Sequence, residues 1–589
     1  MSLKRNAKLI NKKFIQYLIP SILMVFAMQF GSFIDGILVG NMIGGDALSA
    51  TALVVPILYI IQLPGFALGV GGSIVIANLL GKRDIEGAKK TFTICLLLGL
   101  GISIIFAAIA FAVSRPLAML FSTDLVEYSY QYILGYLLID PLITAALLIG
   151  PFMAVDNNPR LSSILFIISN AAKVGLEVLF IKILGDWATF GSALSTGAGY
   201  LLGLITVIFY MKSSKRNLKF NFKMKGSKLF GIIKASSTSA LNMLFTAIQM
   251  LVVNIFVAQV LTDTIDITIY GVIANMIFLF DLVCGGITNI IPTLCGIFYG
   301  EKDLFSLKNV TKKIYLINIA TTAVLVIFFM ALPGLYGKMF GFDDPIHFNY
   351  LAKIIRIYLI SFIPYEISKF SMNYYPSIDK NLPSLVTVFL RELIIVIPVT
   401  LSLLFTMGLE GYVLAATITE VSTVIITYIF ILIYEKVRRK ECHGIFMFER
   451  TNFKVYDVSI SNNIDNAALI SENITKFALE NGIPERESQI IGLASEEMVD
   501  NIAEFGYKKE KHSYIDVCLK ISKDNMLLRI RDDGLPFDPT KYEFDNNENY
   551  STSGIQLISK LVDKMSYMRV LNLNNTIFEI KLGGSVNGN

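Results

Sequence analysis

Glu497 and Asn501 stand four apart, so on a helix they share a face: an acid able to activate water or a hydroxyl, beside an amide oxygen able to hold Mg²⁺ against phosphates. Thirty-one residues on, Asp532-Asp533-Gly534-Leu535-Pro536-Phe537 supplies a carboxylate that accepts from an adenine amino group and a glycine that admits close backbone approach. The polar stretch 545–553 then leads to Gly554 at a helix start, where free amides and the helix dipole suit phosphate. Three boxes in this order predict an ATP site. No G-x-x-x-x-G-K-[ST] loop occurs, so ATP binding here does not imply a primary pump.

A second set of chemistry-bearing residues lies in strongly apolar sequence, where an ionisable group is costly and is by default a functional candidate. Asp35 comes first, in Gly31-Ser32-Phe33-Ile34-Asp35-Gly36-Ile37-Leu38-Val39-Gly40, where glycines permit close helix approach or leave room for water and solute. Asp140, Lys173, Glu177, Asp281, Glu366, Lys369, Arg391, Glu392 and Glu420 follow. Lys173/Glu177 and Glu366/Lys369 have helix-face spacing and are expected to pair with each other. Asp281 has no obvious local partner, and Arg391 and Glu392, being adjacent, are expected to seek partners on other helices.

The elements that must position these groups divide sharply near residue 450. Residues 1–450 hold 36 Lys+Arg and 25 Asp+Glu; residues 451–589 hold 15 and 21. With 589 residues and a mean hydropathy of +0.61, the chain exceeds one domain and is too apolar to be wholly soluble. Twelve apolar runs between residues 14 and 435 each reach the ~20 residues that cross a bilayer. The basic amino terminus (Lys4, Arg5, Lys8, Lys12, Lys13) precedes the first without a small-residue cleavage site, so that run is expected to be a retained span. Alternate loops are rich and poor in Lys and Arg, which places both termini and the tail in the cytoplasm of a multi-pass plasma-membrane protein. The five cysteines show no paired or metal-ligand spacing and read as small apolar residues.

The apolar part repeats once. Gly81-Lys82-Arg83-Asp84 recurs as Gly300-Glu301-Lys302-Asp303, Gly191 as Gly411, and Asp156-Asn157-Asn158-Pro159 as Asp379-Lys380-Asn381-Leu382-Pro383, at offsets of 219, 220 and 223. Six spans per repeat keep both halves in one orientation and put a substrate path between them. The expected organisation is a first six-helix bundle over 1–210, a basic linker over 211–229, a second bundle over 230–435, a linker over 436–452 and a soluble α/β domain over 453–585. In the last, strands are expected at 453–461, 514–521, 526–532, 567–572 and 576–582, and helices at 464–479, 485–505 and 555–563, forming one sheet with helices on one face.

Over about residues 10–435 the chain resembles the multidrug and toxic compound extrusion (MATE) family, on Asp35-Gly36-Ile37-Leu38-Val39-Gly40 with Ile43-Gly44-Gly45, on Gly81-Lys82-Arg83-Asp84, and on its two six-helix halves. That resemblance implies antiport of organic, cationic or amphipathic compounds against H⁺ or Na⁺. It assigns ion coupling to Asp35, with Glu366 as the nearest match to a carboxyl-terminal-lobe cation site; Asp281, without an obvious local partner, is a further candidate on its position alone. The acidic residue of the sodium-coupled branch's seventh span is missing, with Gln249 the nearest polar group, which counts against Na⁺. Export of a membrane lipid or metabolite by a flippase-like route is the alternative substrate class.

Residues 455–583 resemble the GHKL (Bergerat-fold) ATP-binding family, in its anti-sigma-factor serine kinase branch. The resemblance implies Glu497 as general base, Asn501 as Mg²⁺ ligand, Asp532 as adenine reader, Gly534 and Gly554 as nucleotide-loop glycines and Thr576 as an adenine contact; Thr552 stands where that branch usually has another glycine. It also implies a cytoplasmic protein partner of anti-anti-sigma type, and serine/threonine kinase or weak ATPase activity. No nucleic-acid partner is expected. A histidine kinase is disfavoured, because none of His347, His443 and His512 sits on a helical hairpin ahead of Glu497. The competing class is a membrane sensor whose tail phosphorylates a protein.

Overall fold

The computed structural model describes residues 4–119, 125–214, 216–223, 229–339, 345–438, 442–450, 453–507, 513–541 and 553–582. They form two compact units, one of Gln16–Phe448 and one of Met1–Ile15 with Glu449–Asn589.

The larger unit is helical, as a chain in lipid must be when water cannot satisfy its backbone. Among the described residues, nine helices are long and apolar enough to cross a membrane, against twelve apolar runs in the sequence. Two causes account for the difference. The stretches Pro159–Lys212 and Asn381–Val437, of 54 and 57 residues, each count once although each is long enough to cross twice. They reverse at Gly185 (φ 50°) and Gly408 (φ 59°), left-handed conformations that glycine adopts without a Cβ penalty. The run at 350–375 is divided between Pro345–Leu359 and Phe362–Ser377, of 15 and 16 residues, each shorter than a span.

The repeat is structural as well as sequential. Arg83 and Lys302 both take positive φ (63° and 52°), and the aspartate after each caps the next helix: Asp84 accepts from Gly87 N at 2.8 Å, Asp303 from Ser306 N at 3.1 Å. Asn157 and Asp379 form the second matched pair of left-handed residues. Gly81 and Gly300, equivalent in the repeat, meet each other: a Cβ on Gly81 would lie 2.8 Å from Gly300 Cα, and one on Gly300 3.0 Å from Gly81 Cα. A residue touches its own repeat mate only where the pseudo-twofold axis passes. One buried apolar cluster is drawn from Met24 to Tyr210 and another from Val253 to Val413, a core for each repeat. The described part of the basic linker is pinned by Asp156, which accepts from Asn217 N (2.8 Å), Leu218 N (3.0 Å) and the Tyr210 hydroxyl (2.7 Å). A short ribbon, β1 (Cys442–His443) with β2 (Phe448–Glu449), follows the last membrane helix.

The smaller unit is a five-stranded antiparallel sheet of order β3-β4-β5-β7-β6, with β3 Lys454–Ser461, β4 Tyr514–Ile521, β5 Asn525–Asp532, β6 Lys564–Val570 and β7 Leu573–Lys581. Alternation decides its faces. Ile515, Val517, Leu519 and Ile521 of β4, with Met526, Leu528 and Ile530 of β5, share a core with Ile470, Ile474, Ile491, Met498 and Ile502 of the helices Asp465–Glu480 and Glu485–Phe505. Asp516 and Arg531 pair across β4 and β5 on the opposite face. The first turns of α1 (Lys8–Met42) and the residues before them belong to this unit, where the sequence suggests only a span with a basic leader.

Candidate functional site

The helix Glu485–Phe505 carries Glu497 and Asn501 on one face, and the buried side of that helix holds their backbone still. Asn501 is 8% exposed; its Nδ2 donates to the Glu497 carbonyl at 2.6 Å, which leaves its amide oxygen as the acceptor directed elsewhere. Gly554, at the start of the helix Ser553–Leu561, packs directly on the Glu497 carboxylate, so closely that any Cβ there would collide with it. The expected base and the expected phosphate-loop glycine, 57 residues apart, are therefore adjacent. Burial, with Asp500 and Glu496 nearby, raises the Glu497 carboxyl above its ordinary value, and burial does the same for Asp500. A buried carboxylate oxygen of Asp500 has no hydrogen-bond partner among the described residues. Oxygen donors on Asn501 and Asp500 fit a hard cation such as Mg²⁺, which takes one or two protein oxygens and fills the rest of its sphere with water and phosphate. No cluster of three or more His, Cys, Asp or Glu able to hold a metal occurs among the described residues.

Asp532 ends β5 and is 2% exposed. Its Oδ1 accepts from Gly534 N (2.7 Å) and Asn574 Nδ2 (2.8 Å), which aims the carboxylate and leaves Oδ2 for a ligand. Burial pushes the carboxyl up to about 6, with the Asn574 and Gly534 bonds pulling the other way. Gly534 is required: a Cβ would strike the Gly506 carbonyl, to which Leu535 N donates at 2.8 Å. Thr576 is 1% exposed and paired with Ile530 in register, two residues from Asn574, so Thr576, Asn574, Ile530 and Asp532 lie on one face. Sequence reasoning missed Asn574 and Arg569, whose guanidinium holds the Gly534 carbonyl at 3.3 Å. The period of two from Thr576 was the available signal for Asn574; Arg569 carried none. Thr552 and His512 lie outside the described residues.

In the membrane unit, every ionisable residue named for ion coupling is held by neighbours, but not those expected from helix spacing. Lys173 reaches across to Asp35, Nζ to Oδ1 3.2 Å, rather than forming an ion pair with Glu177 on its own helix. Ser192 Oγ bridges, donating to Glu177 Oε1 at 2.9 Å and lying 3.5 Å from Asp35 Oδ1. Asp281 pairs with Lys369 across the fold, so Lys369 is not simply the partner of Glu366. Glu366, fully buried, accepts from Asn318 Nδ2 at 2.9 Å. Arg391 and Glu392 bond to each other although they are chain neighbours, and Arg391 Nε also reaches Glu420 at 2.7 Å. Asp281–Gly285 and Leu390–Ile394 are both π turns, a wider winding that resets the face a side chain presents and that recurs at functional sites. The Tyr365 ring lies 5.7 Å from the Lys369 ammonium and 4.6 Å from the Arg391 guanidinium, between the two clusters. Ser192 and Asn318 had no sequence signal.

Together these features define a multi-span helical membrane protein joined to a domain with a five-stranded antiparallel sheet and helices. Comparison with known proteins agrees. The MatE family model matches residues 20–179, and the histidine kinase-like ATPase domain model matches residues 460–578. The Multidrug export protein MepA of Staphylococcus haemolyticus is 24% identical over 291 residues, 48% of this chain and 62% of that protein. The Probable multidrug resistance protein YoeA of Bacillus subtilis is 22% identical over 254 residues, 41% and 54%. The chain thus spans less than two thirds of the length of these relatives. Among solved structures, an outward-facing multidrug resistance MATE family transporter of the MOP superfamily superposes with a TM-score of 0.65 at 18% identity, covering 73% of this chain and 96% of that one. A MOP superfamily transporter from Pyrococcus furiosus, titled for the reverse polarity of its binding pocket, gives 0.66 at 18%, with the same coverage. The chain carries a MatE domain of MATE fold and a histidine kinase-like ATPase domain in one polypeptide.

Proposed function

We propose that this protein is a secondary antiporter that exports organic cationic or amphipathic compounds in exchange for a cation, H⁺ before Na⁺, and that its ATP-binding domain regulates that export from the cytoplasmic side. The observation that carries the reading is the group Asp35, Lys173 and Glu177, the last two buried and Asp35 partly so. Two carboxylates and one ammonium leave one negative charge without a fixed partner in a medium where an unpaired charge is expensive. A proton, a small cation or a cationic substrate neutralises it, and only one of them at a time. That competition is the chemical basis of antiport. The Lys173 ammonium lies 3.2 Å from Asp35 Oδ1 and would repel a metal ion there, which favours the proton. Asp281 and Glu366 beside Lys369, and Glu392 and Glu420 around Arg391, repeat the two-to-one composition in the second repeat.

In the ATP-binding unit, Asp532 would accept from the adenine amino group with Thr576 beside it, Gly534 would admit the ring, and the helix amides at Gly554 would receive phosphate. Asn501 would hold Mg²⁺, which supplies charge neutralisation on the phosphates. Glu497, raised by burial, would act as the base for a hydroxyl or water. The relatives' names, a multidrug export protein and a probable multidrug resistance protein, support the substrate class.

The test is flux of a fluorescent organic cation from proteoliposomes under imposed H⁺ or Na⁺ gradients. Export should follow the H⁺ gradient and disappear in Asp35→Asn; gradient-independent flux, or full flux in Asp35→Asn, would sink the proposal.

A further inference from the structure

The groups that hold the adenine carboxylate are themselves gripped from an unexpected direction. The amino-terminal segment lies along the ATP-binding unit and makes a graded series of polar contacts with it. Arg5, its side chain 4% exposed, spans Asp457 (3.3 Å) and Asp516 (2.7 Å), the latter fully buried. Asn6 N donates to Ser459 Oγ at 3.1 Å, and Ser459 Oγ in turn donates to Asp516 Oδ1 at 2.7 Å. Lys8 Nζ meets the Tyr514 hydroxyl at 2.6 Å.

One turn later, two lysines reach both sides of Asp532. Lys12 pairs with Asp533, whose carboxylate also accepts from Ser513 and from the Tyr507 hydroxyl. Lys13 Nζ donates to the Asn572 carbonyl at 3.1 Å, in the turn that leads into Asn574. Asp533 is the chain neighbour of Asp532, and Asn574 is its hydrogen-bond donor. The segment therefore holds the residue after the adenine carboxylate and the turn that orients it. Burial pushes the Asp533 carboxyl up, and the Lys12 and Ser513 bonds outweigh that and hold it below its ordinary value. Lys12 itself is half-exposed, so its pairing is not needed to fill a core.

Resting on the reading that this unit binds ATP, we propose that its partner is the chain's own basic amino-terminal segment, Arg5–Lys13, and that ATP occupancy and docking of this segment stabilise each other. Linkage makes the effect reciprocal: if docking fixes Asp532 and tightens ATP binding, ATP tightens docking by the same factor. Arg5 against Asp457 and Asp516, and Lys12 against Asp533, with Lys8 and Lys13 on neutral oxygens, form a contact that one basic peptide fills, and a separate protein partner would have to displace it. Lys8–Lys13 are the first turns of α1, the helix that also carries Asp35.

The test uses the full-length protein in detergent micelles, with ATP and Mg²⁺ as the probe. The dissociation constant is measured for wild type, Lys12→Met, Lys12→Arg and Lys12→Met/Lys13→Met, and trypsin cleavage after Lys8, Lys12 and Lys13 is timed with and without ATP. The expected result is ATP affinity weakened on the order of tenfold in the Met variants and retained in Lys12→Arg, with ATP slowing cleavage of the wild-type segment. ATP binding by wild type with an unchanged constant in the double variant overturns the linkage alone. If wild type binds no ATP while Asp532→Asn is equally inert, the ATP reading fails, and the linkage with it. A low folded yield of the double variant is met by Lys12→Arg and wild-type proteolysis, which need no destabilised protein.

Discussion

At the scale of single residues, the most informative charge is Lys173. Removing it leaves Asp35 and Glu177 facing each other without a cation, and breaking one side of a buried ion group costs roughly 3–5 kcal/mol. Lys173→Met should therefore lower the thermal midpoint of the purified protein sharply, and adding Glu177→Gln should recover most of the loss. A double-mutant cycle in which the two effects simply add would mean that Lys173 and Glu177 are not coupled and that Lys173 serves Asp35 alone. Asp532 offers a test by pH. Burial lifts its carboxyl to about 6, so the folded unit holds that proton more tightly than the unfolded chain; the stability it carries is greatest at low pH and declines as pH rises through that value. ATP affinity runs the other way, since only the carboxylate accepts from an adenine amino group. Affinity should be level above pH 7 and fall about tenfold per unit well below 6, as followed by calorimetric titration; a flat profile down to pH 5 would remove Asp532 as the adenine contact. Glu497→Gln should keep ATP binding while any phosphoryl transfer or hydrolysis drops by a factor on the order of 10² or more.

At the scale of elements, two glycines set distances that no side chain tolerates. Gly554→Ala would drive the Glu497 carboxylate aside, so turnover should fall while Asp532-dependent binding changes less; equal losses in both would show that the Gly554 turn is a general support. Gly81→Val forces apart the repeat-related crossing at Gly300 and should destabilise the membrane unit by about 1–3 kcal/mol, read as a lower thermal midpoint with the ATP-binding unit unaffected. The strands and helices of the smaller unit were legible because periods of two and 3.6 are written in its apolar residues: the expected helix at 485–505 and strand at 514–521 coincide with the observed ones. The repeat was legible too, because its turns reuse the same Gly and Asp. What could not be read was partner choice inside the membrane unit. Spacing suggested Lys173 with Glu177 and Lys369 with Glu366, yet Asp35 and Asp281, far away in sequence, take those ammonium groups. Local spacing ranks only neighbours on one helix. The π turns at Asp281 and Leu390 compound this, since they shift faces without a residue signature.

At the scale of the whole molecule, the two units share one helix. If ATP and the docking of Arg5–Lys13 are linked, export by proteoliposomes with ATP supplied at the tail should respond to the nucleotide in wild type and lose that response in Lys12→Met, with ATP-free flux unchanged. Export indifferent to ATP in both would confine the nucleotide to another task, such as phosphorylating a protein. The contact of Arg5 with Asp457 and Asp516 has a further consequence, in time rather than space. Asp457 follows Arg5 by 452 residues, which at ~5–20 residues per second of synthesis is an interval of about 20 s to a minute and a half. Through that interval the helices that follow are already being made while the segment waits, its cations exposed to any acidic surface nearby. The smaller unit is closed only when the stretch from Glu449 onward meets the segment before Gln16, so its completion also reports that translation of the membrane part between them has finished.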